Sequence, residues 1–206
     1  MKKLLQVLQN ENISKETLEA IKKTNRIKFI PEDKPESIER AYEDTALSIG
    51  HNVTISQPSL VGKMIDLLQI EPTNNILELG TGSSYNAAIM SKLLRSGFGG
   101  GTLTTVERVK VLANRAKKLL SEKNIKVIAG DALNVKYSHK FDRIIATAEF
   151  LDQKQIETFV KSNSNLFCIC VYPFEGWLWK MVKCGDVVKT NKLLRVRFVP
   201  VLTGLK

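Results

Sequence analysis

The chain reads as an α/β protein with a mainly parallel sheet, helices on both faces and an antiparallel hairpin at its C-terminal edge. Three observations predict this. From residue 75 onward, short apolar strand patterns alternate with helix-length periodic stretches, the rhythm of right-handed βαβ units. A glycine turn, "GTGSS", stands between the first of these strands and its helix, where open α/β sheets bind ligands. The tail abandons the rhythm: "WLWKMVKC" and "LLRVRFVPVL", flanking "GDVVKTNK", are strand-like with no helix between them.

Taken in order, residues 1–24 read as helical, with Leu18 and Ile21 at apolar spacing and Ser14 three residues ahead of Thr17. "RIKFIPEDKPESIERAYED" carries two prolines and many charges, and reads as an irregular segment laid across something else. "GHNVTISQPSLVGKM" reads as a loop running into a helix. From Gln57, Leu60, Val61, Met64, Ile65 and Leu68 form one helical stripe that stops near "EPTNN". "NILEL" is then a strand, "YNAAIMSKLLR" a helix, "GFGGG" a loop and "TLTTVE" a second strand. Residues 109–120 are helical with Val109, Leu112, Ala116 and Leu119 inward. "IKVIAGDAL" holds the third strand and its exit, "FDRIIATAEF" the fourth, "DQKQIETFVKS" a helix and "LFCICVYP" a fifth strand. In the tail, Arg195 and Arg197 alternate with Val196 and Phe198, as on a half-exposed strand.

The 206 residues suit a single domain over 1–206. The net charge of +10 invites an anionic partner, but the cations are scattered rather than gathered in one run, which favours a basic solvated surface. A nucleic-acid partner stays open but is not favoured, since no aromatic stacking motif is visible and Trp177 and Trp179 read as strand core. Cys168, Cys170 and Cys184 lack metal or disulfide spacing, and Cys168 and Cys170 share one face of a buried strand. His51 and His139 lack ligand spacing, so no metal is expected. With neither a membrane-length apolar run nor a signal peptide, the expectation is a soluble, cytoplasmic protein.

Gly80 and Gly82 let the backbone turn sharply and approach a ligand closely. The dinucleotide fingerprint would place a third glycine at Tyr85, which would crowd the helix–strand approach. Glu107 ends the second strand, where a carboxylate can accept both hydroxyls of a ribose, and Asp131 leaves the third at the same sheet edge. Together they describe a pocket for a nucleoside with a small polar tail. Nothing resembles a nucleoside-triphosphate loop.

The series "LELGTGSSY", "VER", "GDA" and "FDRIIATA" resembles the motifs of class I S-adenosylmethionine-dependent methyltransferases, with their Rossmann-like fold. "RAYEDTALSIGHNVTISQP" and "RVRFVPVLTG" narrow the resemblance to protein-L-isoaspartate O-methyltransferases, from about Arg26 onward. It implies methyl transfer from S-adenosylmethionine, giving S-adenosylhomocysteine, to isoaspartyl carboxylates in damaged proteins. It also implies roles. Glu78, Gly80, Thr81, Gly82 and Ser83 border the methionine part of the cofactor. Glu107, with Arg108 beside it, holds the ribose, and Asp131 with Ala132 the adenine. Thr54, Ile55, Ser56 and Val199 contact the substrate, Ser56 facing the methyl donor. Residues 1–56 cover the substrate side. Ser56 also suits a helix N-cap, and both roles stay open here.

Four features depart from the family pattern. Glu149 follows the fourth strand in place of a small residue, and reads either as a carboxylate in the active site or as a solvent-facing acid at a helix N-terminus. "SNSN" replaces a glycine turn, "YPFEG" stands after the fifth strand, and Ser84 replaces a glycine. Another acceptor such as RNA, or cofactor binding without catalysis, are the alternatives.

Overall fold

The computed structural model describes residues 1–94 and 100–206. Helices α1 (Lys2–Asn10) and α2 (Lys15–Lys22) divide the N-terminal helical stretch, and the Ser14 side chain caps α2 through the Thr17 N–H. The proline-rich segment contains a 3₁₀ turn at Arg26–Phe29 and a short helix, α3 (Pro35–Glu39). The stretch read as a loop is instead a hairpin, β1 (Leu47–Gly50) with β2 (Val53–Ile55). His51 and Asn52 both hold positive φ, near 54° and 59°, the turn that matches strand twist in a two-residue hairpin.

Helix α4 (Pro58–Leu68) follows, starting with proline in its first turn. The Asp66 carboxylate accepts from the Ser14 N–H and from the Ser14 and Thr17 hydroxyls, which docks α2 onto α4. Gly62 allows the close approach, because a Cβ there would lie 2.9 Å from Ile13 Cδ1.

The seven-stranded sheet contains β3 (Asn75–Leu79), β4 (Thr102–Glu107), β5 (Ile125–Ala129), β6 (Phe141–Ala146), β7 (Ser164–Phe174), β8 (Trp177–Cys184) and β9 (Val187–Arg195). Their order is β5-β4-β3-β6-β7-β8-β9, parallel through β7 and antiparallel at β8 and β9. Helices α5 (Tyr85–Leu94), α6 (Lys110–Leu119) and α7 (Gln153–Asn163) complete the βαβ units. The period of two sorts the strands: Ile76, Leu103 and Ile145 pack toward α4, α5 and α6, while Leu77, Ile144 and Cys170 pack toward α7. The end of "YNAAIMSKLLR" and most of "GFGGG" lie outside the described residues.

Three expectations need correction. The hairpin turn is shorter than read, because Val187–Lys192 already belong to β9. "RFVP" is not strand but extended chain beyond it, with Val196 and Phe198 half-buried and Arg197 and Val199 exposed. Trp177 is not core, and Trp179 only packs against the edge of it: both are half-buried, with Lys192 Nζ 4.2 Å and Arg195 Cζ 4.3 Å from the Trp177 ring centre. The missing glycine in "SNSN" has a simple reason. Ser164 leaves α7 with φ near −108°, which any residue adopts.

Candidate active site

The carboxyl ends of β3, β4 and β5 converge on one edge of the sheet. After β3, Gly80 takes φ near +94°, and a Cβ there would meet Thr147 Oγ1 at 2.6 Å. The Thr147 hydroxyl donates to the Gly80 carbonyl at 2.5 Å, tying the β6 exit to the glycine turn. Ser84 also holds positive φ, near 74°, where the family pattern has glycine. Tyr85 does not crowd the helix–strand contact. It turns toward the N-terminal segment, 5.6 Å from Phe29 ring to ring and under the Arg26 guanidinium.

Glu107 is buried, and each of its oxygens accepts one backbone N–H: Gly82 at 2.8 Å and Val109 at 2.9 Å. Each oxygen keeps accepting capacity, as a ribose diol requires. Asp131 accepts from Leu133 N–H, from Asn134 and from Gly204 N–H. Although partial burial works against it, these donors and nearby Arg108 hold its pKa below the usual carboxylate range. The Arg108 guanidinium donates to the Thr203 and Gly204 carbonyls, so the tail is fastened beside Asp131 by both residues.

Glu78 is fully buried, and its Oε2 accepts from Thr105 at 2.6 Å while Oε1 has no partner. Burial pushes its pKa up to about 8, and the charge of Glu107 acts the same way, against the Thr105 hydrogen bond. An orphaned buried carboxylate oxygen calls for a cationic donor, and the α-ammonium of a methionine-derived cofactor is such a group. The residues present therefore fit S-adenosylmethionine.

Two cavities meet here. One, of about 340 Å³, is lined by Gly80, Glu107, Arg108, Asp131 and Ala132, with His51 and the tail at its mouth. The other, a groove of about 870 Å³, is lined by Thr54, Ser56, Glu78, Thr81 and Ser83. Val53, Gly82, Thr147 and Val199 line both, so a molecule in the first opens onto the second at these residues. Ile55 lines neither: its side chain is buried in the core, leaving only its backbone for a substrate.

Sequence reasoning missed Asp44 and Arg26. Ser56 does not cap α4. Asp44 does so from outside, accepting from Ser59 N–H at 2.8 Å and from Gln57 Nε2 at 3.0 Å. Arg26, fully buried, donates to the Ser56 carbonyl at 2.8 Å and to the Thr45 carbonyl at 3.1 Å. Burial lowers its pKa to about 10, opposed by Tyr85 and Asp44, so it is charged at neutral pH. The Ser56 hydroxyl has no hydrogen-bond partner among the described residues and lines the groove.

Glu149 takes neither position expected of it. Asp152 caps α7, and Glu149 Oε1 accepts from Gly176 N–H at 2.6 Å. Its backbone pairs with Val199 and Val201. Two departures from the family pattern, Glu149 and the "YPFEG" turn, are thus partners in one contact. Among the described residues no group of three His, Cys, Asp or Glu is placed to hold a metal ion, and no helix is long and apolar enough to cross a membrane.

A parallel sheet with a glycine turn, a ribose-type acid and a third acid at consecutive strand exits, opening onto a groove, defines a class I S-adenosylmethionine-dependent methyltransferase fold. Within that class, residues 1–206 match the protein-L-isoaspartate(D-aspartate) O-methyltransferase (PCMT) family. A protein-L-isoaspartate O-methyltransferase of Fervidobacterium nodosum is 36% identical over 203 residues, covering 96% of this chain and 98% of that one. The chain belongs to this family. A solved protein-L-isoaspartate O-methyltransferase superposes with a TM-score of 0.84 at 22% identity, over 97% of this chain and 65% of that chain. A PCMT of Plasmodium falciparum, solved with S-adenosyl-L-homocysteine, superposes with a TM-score of 0.79 at 23% identity, over 98% and 97% of the two chains.

Proposed function

We propose that this protein transfers a methyl group from S-adenosylmethionine to the free carboxylate of L-isoaspartyl residues in damaged peptides and proteins, a repair reaction. The observation that carries the reading is the junction of nucleoside cavity and acceptor groove at Val53, Gly82, Thr147 and Val199. Ser56 lines the groove with its hydroxyl uncommitted. S-adenosylmethionine, when bound, supplies an electrophilic methyl carbon on sulfonium and is left as S-adenosylhomocysteine.

Each residue then has a defined task. Glu78 receives the ammonium group, while Gly80, Thr81, Gly82 and Ser83 border the methionine part. Glu107 takes the ribose hydroxyls on its remaining lone pairs, with Arg108 beside it. Asp131 and Ala132 face the adenine. On the other side, Thr54 and the Ile55 backbone align the peptide, and Val199 packs along it. Ser56 donates a hydrogen bond to the acceptor carboxylate and so orients it.

No general base is required, because a carboxyl with a pKa near ~4 is ionised at neutral pH. Rate comes from orientation and from keeping water out, which together can supply several kcal/mol. Residues 1–56 act as the cover of the substrate side within a single domain, with Arg26 and Asp44 fixing its last corner. The reading places the enzyme in the cytoplasm. A nucleic-acid acceptor is not favoured, since Trp177 and Trp179 lie against cations rather than open as stacking platforms.

The test is a methyl-transfer assay with an isoaspartyl peptide, its aspartyl twin and total RNA. Base-labile ester on the isoaspartyl peptide alone supports the proposal. Turnover on RNA instead, or cofactor binding with no turnover on any acceptor, removes it.

A further inference from the structure

The acceptor groove has a cationic rim to which the residue roles above assign no task. Arg195 and Arg197 line the same groove as Ser56 and are exposed. The four ion pairs among the described residues include neither of them, nor Lys192. Lys63, also on the groove wall, is neutralised by Glu11. Glu175, on the adjoining turn, is exposed and pairs with neither arginine.

Arg195 is nevertheless held in place. Its guanidinium lies 4.3 Å from the centre of the Trp177 ring, and Lys192 Nζ lies 4.2 Å from the same centre. Stacking on an aromatic ring fixes a guanidinium without consuming its in-plane N–H donors, which stay free for a planar anion. A cation left unneutralised at a groove wall attracts anionic ligands and excludes cationic ones.

We propose that Arg195 and Arg197 form a subsite for acidic side chains flanking the modified residue, so that the preferred substrates are isoaspartyl peptides with neighbouring Asp or Glu. The proposal rests on the reading that this groove takes an isoaspartyl peptide. It commits to carboxylates of a peptide because the same groove contains the corner where a peptide carboxylate reacts. Acidic flanks raise the capture of substrate, through KM, more than the rate of the bound complex.

The experiment uses the full chain and three isoaspartyl peptides of equal length, flanked by Glu, by Ser or by Lys. Turnover and binding, the latter by fluorescence anisotropy with S-adenosylhomocysteine present, are read separately. The expected kcat/KM is about tenfold higher for the Glu-flanked than the Lys-flanked peptide at low salt, with the gap shrinking at high salt. Arg195→Gln/Arg197→Gln brings the ratio to within about twofold of one, and Arg195→Lys/Arg197→Lys restores most of it. Lys117→Gln/Lys118→Gln, exposed on α6, removes the same charge and keeps the ratio.

A wild-type ratio near one overturns the proposal, as does an equal loss in the α6 variant. So does competition by homopolymer RNA, relieved by the arginine substitutions, without any preference among peptides. Absence of methylation with the binding preference intact counts against the reaction and leaves the subsite standing.

Discussion

Glu78 should make the folded protein less stable as the solution becomes more alkaline, and replacing it should remove that dependence. Its folded pKa of about 8 stands above the ordinary 4.5 because the carboxyl is fully buried. Between those values the unfolded chain has released a proton that the folded protein still holds, so stability falls as pH rises from about 4.5 and levels off above about 8. From pH 5.5 to 8.5 the loss comes to about 3 kcal/mol. Glu78→Gln keeps an acceptor for the Thr105 hydroxyl and cannot ionise. Urea unfolding of both proteins at the two pH values isolates the effect, because every other titrating group cancels in the comparison. The wild type should lose about 3 kcal/mol relative to the variant, and no less than about 1 kcal/mol. The same substitution removes a charge-assisted hydrogen bond to the cofactor, and should weaken S-adenosylhomocysteine binding about ten- to a hundredfold. Identical pH dependence in the two proteins, or undiminished cofactor affinity in Glu78→Gln, would refute the reasoning.

Ser56→Ala should lower kcat/KM on an isoaspartyl peptide about ten- to a hundredfold, the worth of one hydrogen bond to a carboxylate, with calorimetric S-adenosylhomocysteine affinity unchanged. Asp44→Ala should cost about 1 kcal/mol in urea unfolding through loss of the α4 cap, and raise the peptide KM because Gln57 and Ser59, just beyond Ser56, lose their anchor. Gly80→Ala forces a side chain into positive φ and against Thr147 Oγ1, so it should cost about 1–3 kcal/mol by the same measurement and impair cofactor binding.

The sheet was legible because its strands are short apolar runs separated by helices of regular period; its strand order was not, because handedness alone does not fix on which side of β3 the next strand pairs. Gly80, Glu107 and Asp131 were legible because each lies at a strand exit on one edge. What was not legible depends on contacts distant in sequence. The β1–β2 hairpin turns on His51 and Asn52 at positive φ, and only Asn52, flanked by "LSIG" and "VTI", hints at it. Asp44 caps a helix that starts fourteen positions later, at Pro58, so no local spacing reveals it and Ser56 was the natural candidate. The Glu149–Gly176 contact likewise spans 27 positions, which made two related departures look independent. Trp177 and Trp179 alternate with Leu178 as core residues do, but Leu178 is buried on the α4 side of β8, and on the other face Met181 is buried while the tryptophans near the strand's start stay half-buried.

The most direct measurement is a crystal structure with S-adenosylhomocysteine and an isoaspartyl peptide bound together. The account predicts the sulfur at the Gly82–Thr147 junction, the ammonium on Glu78, and the isoaspartyl carboxylate within hydrogen-bond distance of Ser56 Oγ. A carboxylate seated away from Ser56, or a nucleoside outside the Glu107–Asp131 cavity, would contradict it.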